Sequence, residues 1–202
     1  FYHDQATGLD LVNRTVTCRN RPPVPFDVLS IDIGSAPDMS VPGAQDAVVP
    51  VKPISNFMTR WEALVGRVCA SDRPLSIGVV GAGAGGTEML LAMQHGLNAK
   101  LRSLGRNPDR LSFHLFAAGS QPLPTHGKRV REAFSRVFND RGVVVHSGAR
   151  VVRVDPGVLH IDDGRAVEVD EILWVTRAGT QAWMGQSGLA VGEGGFVEGR
   201  ET

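Results

Sequence analysis

The sequence predicts an α/β fold: a parallel sheet whose strands are joined by helices, followed by a small antiparallel meander. Between Leu75 and His146 short apolar runs alternate with segments of helical period, as parallel strands with right-handed helical crossovers require. Within that region Ile77 to Leu91, IGVVGAGAGGTEMLL, carries a strand into a helix through a glycine-rich turn. Beyond Ala149 the apolar runs shorten and are divided by Asp155-Pro156-Gly157 and Asp162-Asp163-Gly164, which mark hairpin turns.

Each element follows from its residues. Leu9 to Val12 and Thr15 to Arg19 flank Asn13-Arg14 and predict a hairpin. Phe26 to Ile33 (FDVLSIDI) predicts a strand ending in Gly34-Ser35-Ala36-Pro37, either an ordinary turn or one that brings backbone close to a ligand. The proline-spaced segment from Val41 to Pro53 reads as a connection between domains. Ile54, Phe57, Met58, Trp61, Leu64, Val65 and Val68 recur at helical spacing, and their aromatic members belong to a core face before they suggest cofactor stacking.

Leu75 to Val80 is the central strand, and the helix after it presents Leu90, Met93, Leu97, Leu101 and Leu104 until Gly105-Arg106-Asn107-Pro108 stops it. Leu111 to Ala117 is the next strand. Val130, Ala133, Phe134, Val137 and Phe138 mark a helix ending near Gly142, and Val143 to His146 is a further strand. Ala149 to Val154, Val158 to Ile161 and Ala166 to Val169 form the meander. Glu171 to Thr176 returns to a buried strand that ends at Arg177-Ala178-Gly179, and the glycine-rich last twenty residues predict loops.

Gly81, Gly83 and Gly86 occupy the glycine positions of G-x-G-x-x-G. In that pattern the first permits a tight turn, the second lets a pyrophosphate approach the backbone, and the third lets helix and strand pack closely. The amides of Ala84, Gly85 and Gly86 open a helix whose dipole favours an anion. Glycine turns of this kind also occur where nothing binds; the strand before and the helix after favour a nucleotide.

Composition excludes some classes of function. With 42% apolar and 21% charged residues the 202-residue chain is an ordinary globular sequence. Its 21 basic and 21 acidic residues cancel, leaving no broad electrostatic case for nucleic acid or an anionic membrane. Cys18 and Cys69 lack the spacing of a zinc or dithiol site and read as buried. No run approaches the about 18 apolar residues of a membrane span, and no signal peptide opens the chain, so a cytoplasmic location is expected. The histidines are scattered, no metal site is expected, and no catalytic residue is assigned. Asp162 and Asp163 are turn residues first. If the chain is an enzyme, a cofactor carries the chemistry.

These segments resemble the pyridine nucleotide-disulfide oxidoreductase superfamily, in the branch of type II NADH dehydrogenases. FDVLSIDIGSAP is similar to the strand and turn leading out of an FAD domain, IGVVGAGAGGTE to the NAD-domain fingerprint, LFAAGSQPLP to the second strand of that domain, and DEILWVTRAG to the strand returning to FAD. Together with PVKPI, AWMGQSGLAV and GGFV they look most like the flavoprotein module fused ahead of selenide, water dikinase (selenophosphate synthetase). The resemblance implies a Rossmann-like, three-layer NAD(P)-binding domain over residues 51–178, attached to pieces of an FAD domain at 1–50 and a return segment at 179–202. It implies an FAD-dependent enzyme in which NAD(P)H passes a hydride to flavin and then to a quinone or other acceptor; a nucleotide-sensing or interaction module without turnover is the alternative.

By the same resemblance NAD(P)H docks at Gly81, Gly83 and Gly86, Glu88 lies near the nicotinamide, and Gly34, Ser35 and Gly179 approach FAD, while Lys52 is either a flavin or phosphate contact or a solvated lysine. Relatives that prefer NAD end the second strand with an acid. Here Ala117-Ala118-Gly119-Ser120 stands instead, so the choice between NADH and NADPH is open, with Lys128 or Arg129 at hand for a 2′-phosphate. The FAD glycine fingerprint and terminal FAD segment of the relatives are absent, which implies a piece of a longer protein that alone holds FAD poorly.

Overall fold

The computed structural model describes residues 1–51, 54–176 and 178–199. Lys52 and Arg177, both named above, lie outside the described residues. The chain divides into two compact units, residues 1–36 with 178–202 and residues 37–177.

In the first unit β1 (Ala6–Asp10), β2 (Thr15–Cys18) and β3 (Val24–Pro25) form an antiparallel sheet in that order. Asp10 builds the predicted hairpin turn: its Oδ1 accepts the Val12 and Asn13 amides at 3.0 and 2.9 Å, and Arg14 takes φ 51. The same unit holds the extended pair Ala178–Gly179 and a short helix at Ala182–Gln186, which enters the last twenty residues where only loops were expected. Phe26 to Ile33 does not form the predicted strand. After Val24–Pro25 the chain leaves its sheet, the Phe26 amide donates to the Arg14 carbonyl at 2.9 Å, and Val28 is 91% exposed. An apolar run becomes a strand only where a neighbouring backbone takes up its polar groups. Cys18 and Cys69 are half-buried free thiols.

The second unit begins within β4 (Ala36–Pro37), at Pro37. It contains α1 (Ala44–Ala47), β5 (Val49–Pro50), α2 (Ile54–Ala70), β6 (Leu75–Val80), α3 (Ala84–Ser103), β7 (Leu111–Phe116), α4 (Lys128–Asp140), β8 (Val143–His146), β9 (Val151–Asp155), β10 (Val158–Ile161), β11 (Ala166–Glu168) and β12 (Glu171–Trp174). Strands β5-β12-β6-β7-β8 make a five-stranded parallel sheet, and β11-β10-β9 make the antiparallel meander.

Alternation along the strands separates two cores. Leu75, Ile77 and Val79 of β6, with Leu111, Phe113 and Leu115 of β7 and Leu173 of β12, pack against Leu64 and Val68 of α2, Leu90, Met93 and Leu97 of α3, and Phe138 of α4. On the other face Val80, Phe116, Ile172 and Trp174 meet Val151, Val154, Leu159 and Ile161 of the meander. The unit is therefore three-layered, with the long helices on one side of the sheet and the meander on the other. Gly78 marks how close the meander lies: a Cβ there would stand 2.8 Å from Val169 Cγ1.

The segment expected to be an interdomain connection is instead part of this unit. Ala44 and Val48 are 0% and 3% exposed within the meander-side core, and Val49–Pro50 pairs in parallel with Leu173–Trp174. The compact units thus divide at 36/37 and 177/178, whereas the sequence suggested 50/51 and 178/179. Short apolar residues between prolines supply buried edges as readily as linkers, and only their tertiary neighbours decide.

Candidate nucleotide site

The carboxyl ends of β12, β6 and β7 lie level and are tied beyond their last residues. Val175 N–H donates to the Val80 carbonyl at 2.8 Å, Gly81 N–H to Phe116 at 3.1 Å, and Ala117 N–H to His146 at 2.9 Å. The chain leaves β6 for β7 and β8 on one side, while β12 flanks β6 on the other. This is the switch in strand order outside which open α/β sheets bind ligands.

The three glycines of the turn are needed for different reasons. Gly81 has φ +112, and a Cβ on it would fall 2.1 Å from the Val175 carbonyl oxygen. A Cβ on Gly86 would fall 1.7 Å from the Gly81 carbonyl oxygen. Both are therefore required by the fold itself. Gly83 is not: its φ −74 and ψ −175 suit any residue, and a Cβ there meets nothing within 4 Å. It faces open space at the N-cap of the twenty-residue helix α3.

That helix begins without a side-chain cap. Its first ladder bond runs from Thr87 N–H to the Gly83 carbonyl at 3.0 Å, so the amides of Ala84, Gly85 and Gly86 stand ahead of the ladder, at the positive end of the dipole. Ala84 and Gly85 are exposed and Gly86 is buried. Thr87 is wholly buried, and its Oγ1 has no hydrogen-bond partner. Open space over Gly83 beside uncommitted amides fits the pyrophosphate of a dinucleotide. Glu88 is exposed, one position beyond Thr87 on α3.

Ala117 continues β7 next to the glycine turn. It is 2% exposed, with its carbonyl accepting from Ala149 at 2.8 Å, so only its backbone path and the exposed Ala118-Gly119-Ser120 behind it can border a ligand. The structure thus gathers Gly81, Gly83, Ala84, Gly85, Gly86 and Ala117 in the second unit. Gly34, Ser35 and Gly179 belong to the first unit. Gly34 there is exposed in a left-handed turn, φ +66, with nothing within 4 Å of its missing Cβ, which leaves room for a ligand against the backbone. Ser35 and Gly179 are half-buried.

Sequence reading missed Leu123. It is a non-glycine residue at φ 55, 2% exposed, whose amide donates to the Ala82 carbonyl at 2.8 Å and so fastens the loop after β7 to the glycine turn. No local signal announces a leucine in the left-handed region, which costs about 1–3 kcal/mol and persists where surroundings enforce it. Also unforeseen is the aromatic stack of Phe116 on His146, centroids 4.4 Å apart, with His114 Nδ1 3.0 Å from His146 Nε2. Burial pushes both imidazoles below their ordinary range, and for His146 the His114 and Arg165 charges act in the same direction.

Among the described residues no group of three or more His, Cys, Asp or Glu side chains is placed to hold a metal. Among them, too, no helix is long and apolar enough to cross a membrane.

Comparison with known proteins extends this geometry. The family described as pyridine nucleotide-disulphide oxidoreductase matches residues 1–202. The NADH dehydrogenase-like protein YutJ of Bacillus subtilis is 26% identical over 169 residues, covering 83% of this chain and 43% of that protein. A ferredoxin–NAD(P)(+) reductase of a Sphingomonas species is 28% identical over 114 residues, covering 52% of this chain and 26% of its own length. Among solved structures, NDH2 from Plasmodium falciparum in complex with NADH superposes with TM-score 0.81 at 16% identity, over 92% of this chain and 42% of that one. The chain therefore spans less than half the length of each of these proteins.

Proposed function

The chain belongs to the pyridine nucleotide-disulphide oxidoreductase family, and from that premise we propose that it is the NAD(P)H-binding portion of an FAD-dependent oxidoreductase. The observation that carries the reading is Gly83. Neither backbone conformation nor packing asks for glycine there, so the missing side chain serves something outside the fold.

In this reading the amides of Ala84, Gly85 and Gly86 receive the pyrophosphate, and the α3 dipole favours its charge. Ala117 and the turn behind it border the adenosine half. Glu88, one turn into the helix, orients the nicotinamide. Gly34, Ser35 and Gly179 approach FAD, which when bound supplies the acceptor for the nicotinamide hydride. The chain's own part is to bind, orient and limit water around the nucleotide. Segments flanking FDVLSIDI in the whole protein would supply the backbone partners that this strand-forming sequence lacks here.

Electrons leave to a quinone or another acceptor, in a cytoplasmic protein. The resemblance of DVLSIDIGSAP, PVKPI and WVTRAG to the module fused with selenide, water dikinase supports a selenophosphate synthetase partner in the same polypeptide.

The test is the flavin spectrum of the full-length protein and its bleaching by NADH or NADPH. Bleaching that Gly83→Val abolishes supports the oxidoreductase. Nucleotide binding without bleaching supports a sensing module instead, and the absence of both binding and bleaching refutes the nucleotide reading of the glycine turn and leaves an interaction module.

A further inference from the structure

Helix α3 meets the carboxyl end of α4 at a second concave place, away from the glycine turn. Ala84 opens α3, and Gln94 stands about 15 Å further along its axis at about 1.5 Å per residue. There a depression of about 220 Å3 is lined by Gln94, His95, Asn98, Arg102 and Arg141.

Its amides lack donors. Gln94 is 7% exposed, and its Nε2 donates to the Arg141 carbonyl at 2.8 Å. That bond fixes which way the amide points, because a carbonyl accepts only from the amino group. Gln94 Oε1 is left buried with no partner among the described residues, and so is Asn98 Oδ1, one turn further along the helix. A buried acceptor left unpaired is unfavourable, so two of them on one stripe of a helix call for a donor from outside the fold.

The rim is cationic. Arg102 and Arg141 are exposed, neither guanidinium forms an ion pair among the described residues, and the lining holds no carboxylate. Arg102 lies in the last turn of α3 and Arg141 caps α4. The helix dipole accounts for a positive charge at each of these ends, but not for buried oxygens without donors. The same negative end of α4 favours an incoming ammonium.

We infer that the depression is a second ligand site, for a small dicarboxylic α-amino acid. Its two carboxylates match the two guanidiniums, and its one ammonium, with three donors, matches the two amide oxygens. Arginine suits the rim because its planar fork meets a carboxylate through parallel N–H donors. The volume lies below the about 300–1,000 Å3 of sites for drug-sized ligands, as a metabolite of this size requires. The inference is independent of the nucleotide reading of the glycine turn.

The experiment is titration of the full chain with L-aspartate, succinate, L-asparagine and inorganic phosphate, followed by the side-chain amide NMR signals of Gln94 and Asn98. Succinate is aspartate without the ammonium, and asparagine is aspartate without the second carboxylate. Aspartate is expected to shift both signals and to bind at least about tenfold more tightly than the other three, the worth of charge-assisted hydrogen bonds. In Asn98→Leu the ratio of aspartate to succinate affinity falls toward one, while the melting temperature of the free protein holds or rises because an unpaired acceptor is gone. In Arg102→Gln, on the exposed rim, aspartate and succinate both weaken and the ratio between them holds. Succinate or asparagine binding as tightly as aspartate overturns the inference. Phosphate binding as tightly shows an adventitious ion only and also overturns it. So does binding of none of the four, or an affinity for aspartate that survives both variants.

Discussion

Replacing the glycines of the turn one at a time separates what the fold needs from what a ligand needs. In Gly86→Ala the new methyl would stand 1.7 Å from the Gly81 carbonyl oxygen and 2.9 Å from its carbon. Backbone cannot yield as a flexible side chain does, so the cost belongs at the upper end of overpacking, about 3 kcal/mol or more. For a chain of this size that is about 6–12 °C in melting temperature. Gly81→Ala combines a 2.1 Å clash with Val175 O and an unfavourable φ of +112, and is expected to lose at least as much. Gly83→Ala meets nothing within 4 Å at an ordinary φ, leaving only a small N-cap change, under about 1 kcal/mol. Differential scanning calorimetry and ADP-ribose titration of the variants are read together. Gly83→Val is expected to melt near the parent and lose binding. A melting loss as large as that of Gly86→Ala, or undiminished affinity, would falsify the assignment of Gly83 to a ligand.

Other outcomes follow from other contacts. Asp170 Oδ2 accepts the Ser76 amide at 2.8 Å and its hydroxyl at 2.9 Å, while Ser76 Oγ accepts the Asp170 amide at 3.0 Å and Arg73 pairs with Oδ1 at 2.7 Å. Burial raises the Asp170 pKa, but the Ser76 amide, Arg73 and the Ser76 hydroxyl outweigh it and hold the carboxyl below its usual range. Asp170→Ala is expected to cost about 1–3 kcal/mol by urea unfolding, because Ser76 loses its acceptor. With the folded pKa lowered, Asp170's contribution is present above the unfolded value and disappears as pH falls through the folded one, so the gap between parent and variant should close in acid. His114 and His146 behave similarly in a higher window. Their folded pKa values lie below the ordinary 6.5, so the unfolded chain takes up protons first as pH falls through that value. Melting temperature is expected to fall from neutral pH toward pH 5 less steeply in His146→Phe than in the parent. An unchanged slope would show that the pair does not titrate as its burial implies. Leu123→Ala is expected to cost about 2–5 kcal/mol in thermal unfolding through its buried side chain and to weaken ADP-ribose binding by loosening the loop; unaltered affinity in a folded variant would remove Leu123 from the site.

The sequence by itself determined the parts whose signals are local. Period 3.6 marked α2, α3 and α4, and the glycine spacing located the bend between β6 and α3 within a residue, because a turn that tight leaves few alternatives to glycine. D-P-G and D-D-G announced the hairpins of the meander, since those residues tolerate the backbone that hairpins need. The sequence also suggested Gly81, Gly83 and Gly86 as one motif.

Only the tertiary structure separated the last of these by purpose, through atoms distant in the chain: Val175 against Gly81, and open space beside Gly83. It likewise moved residues 41–50 from a supposed linker into a core and left Phe26 to Ile33 without a strand partner in the first unit. Both outcomes depend on neighbours brought from far along the chain, which no local pattern encodes. The same holds for the left-handed Leu123, whose amide reaches the Ala82 carbonyl of the glycine turn.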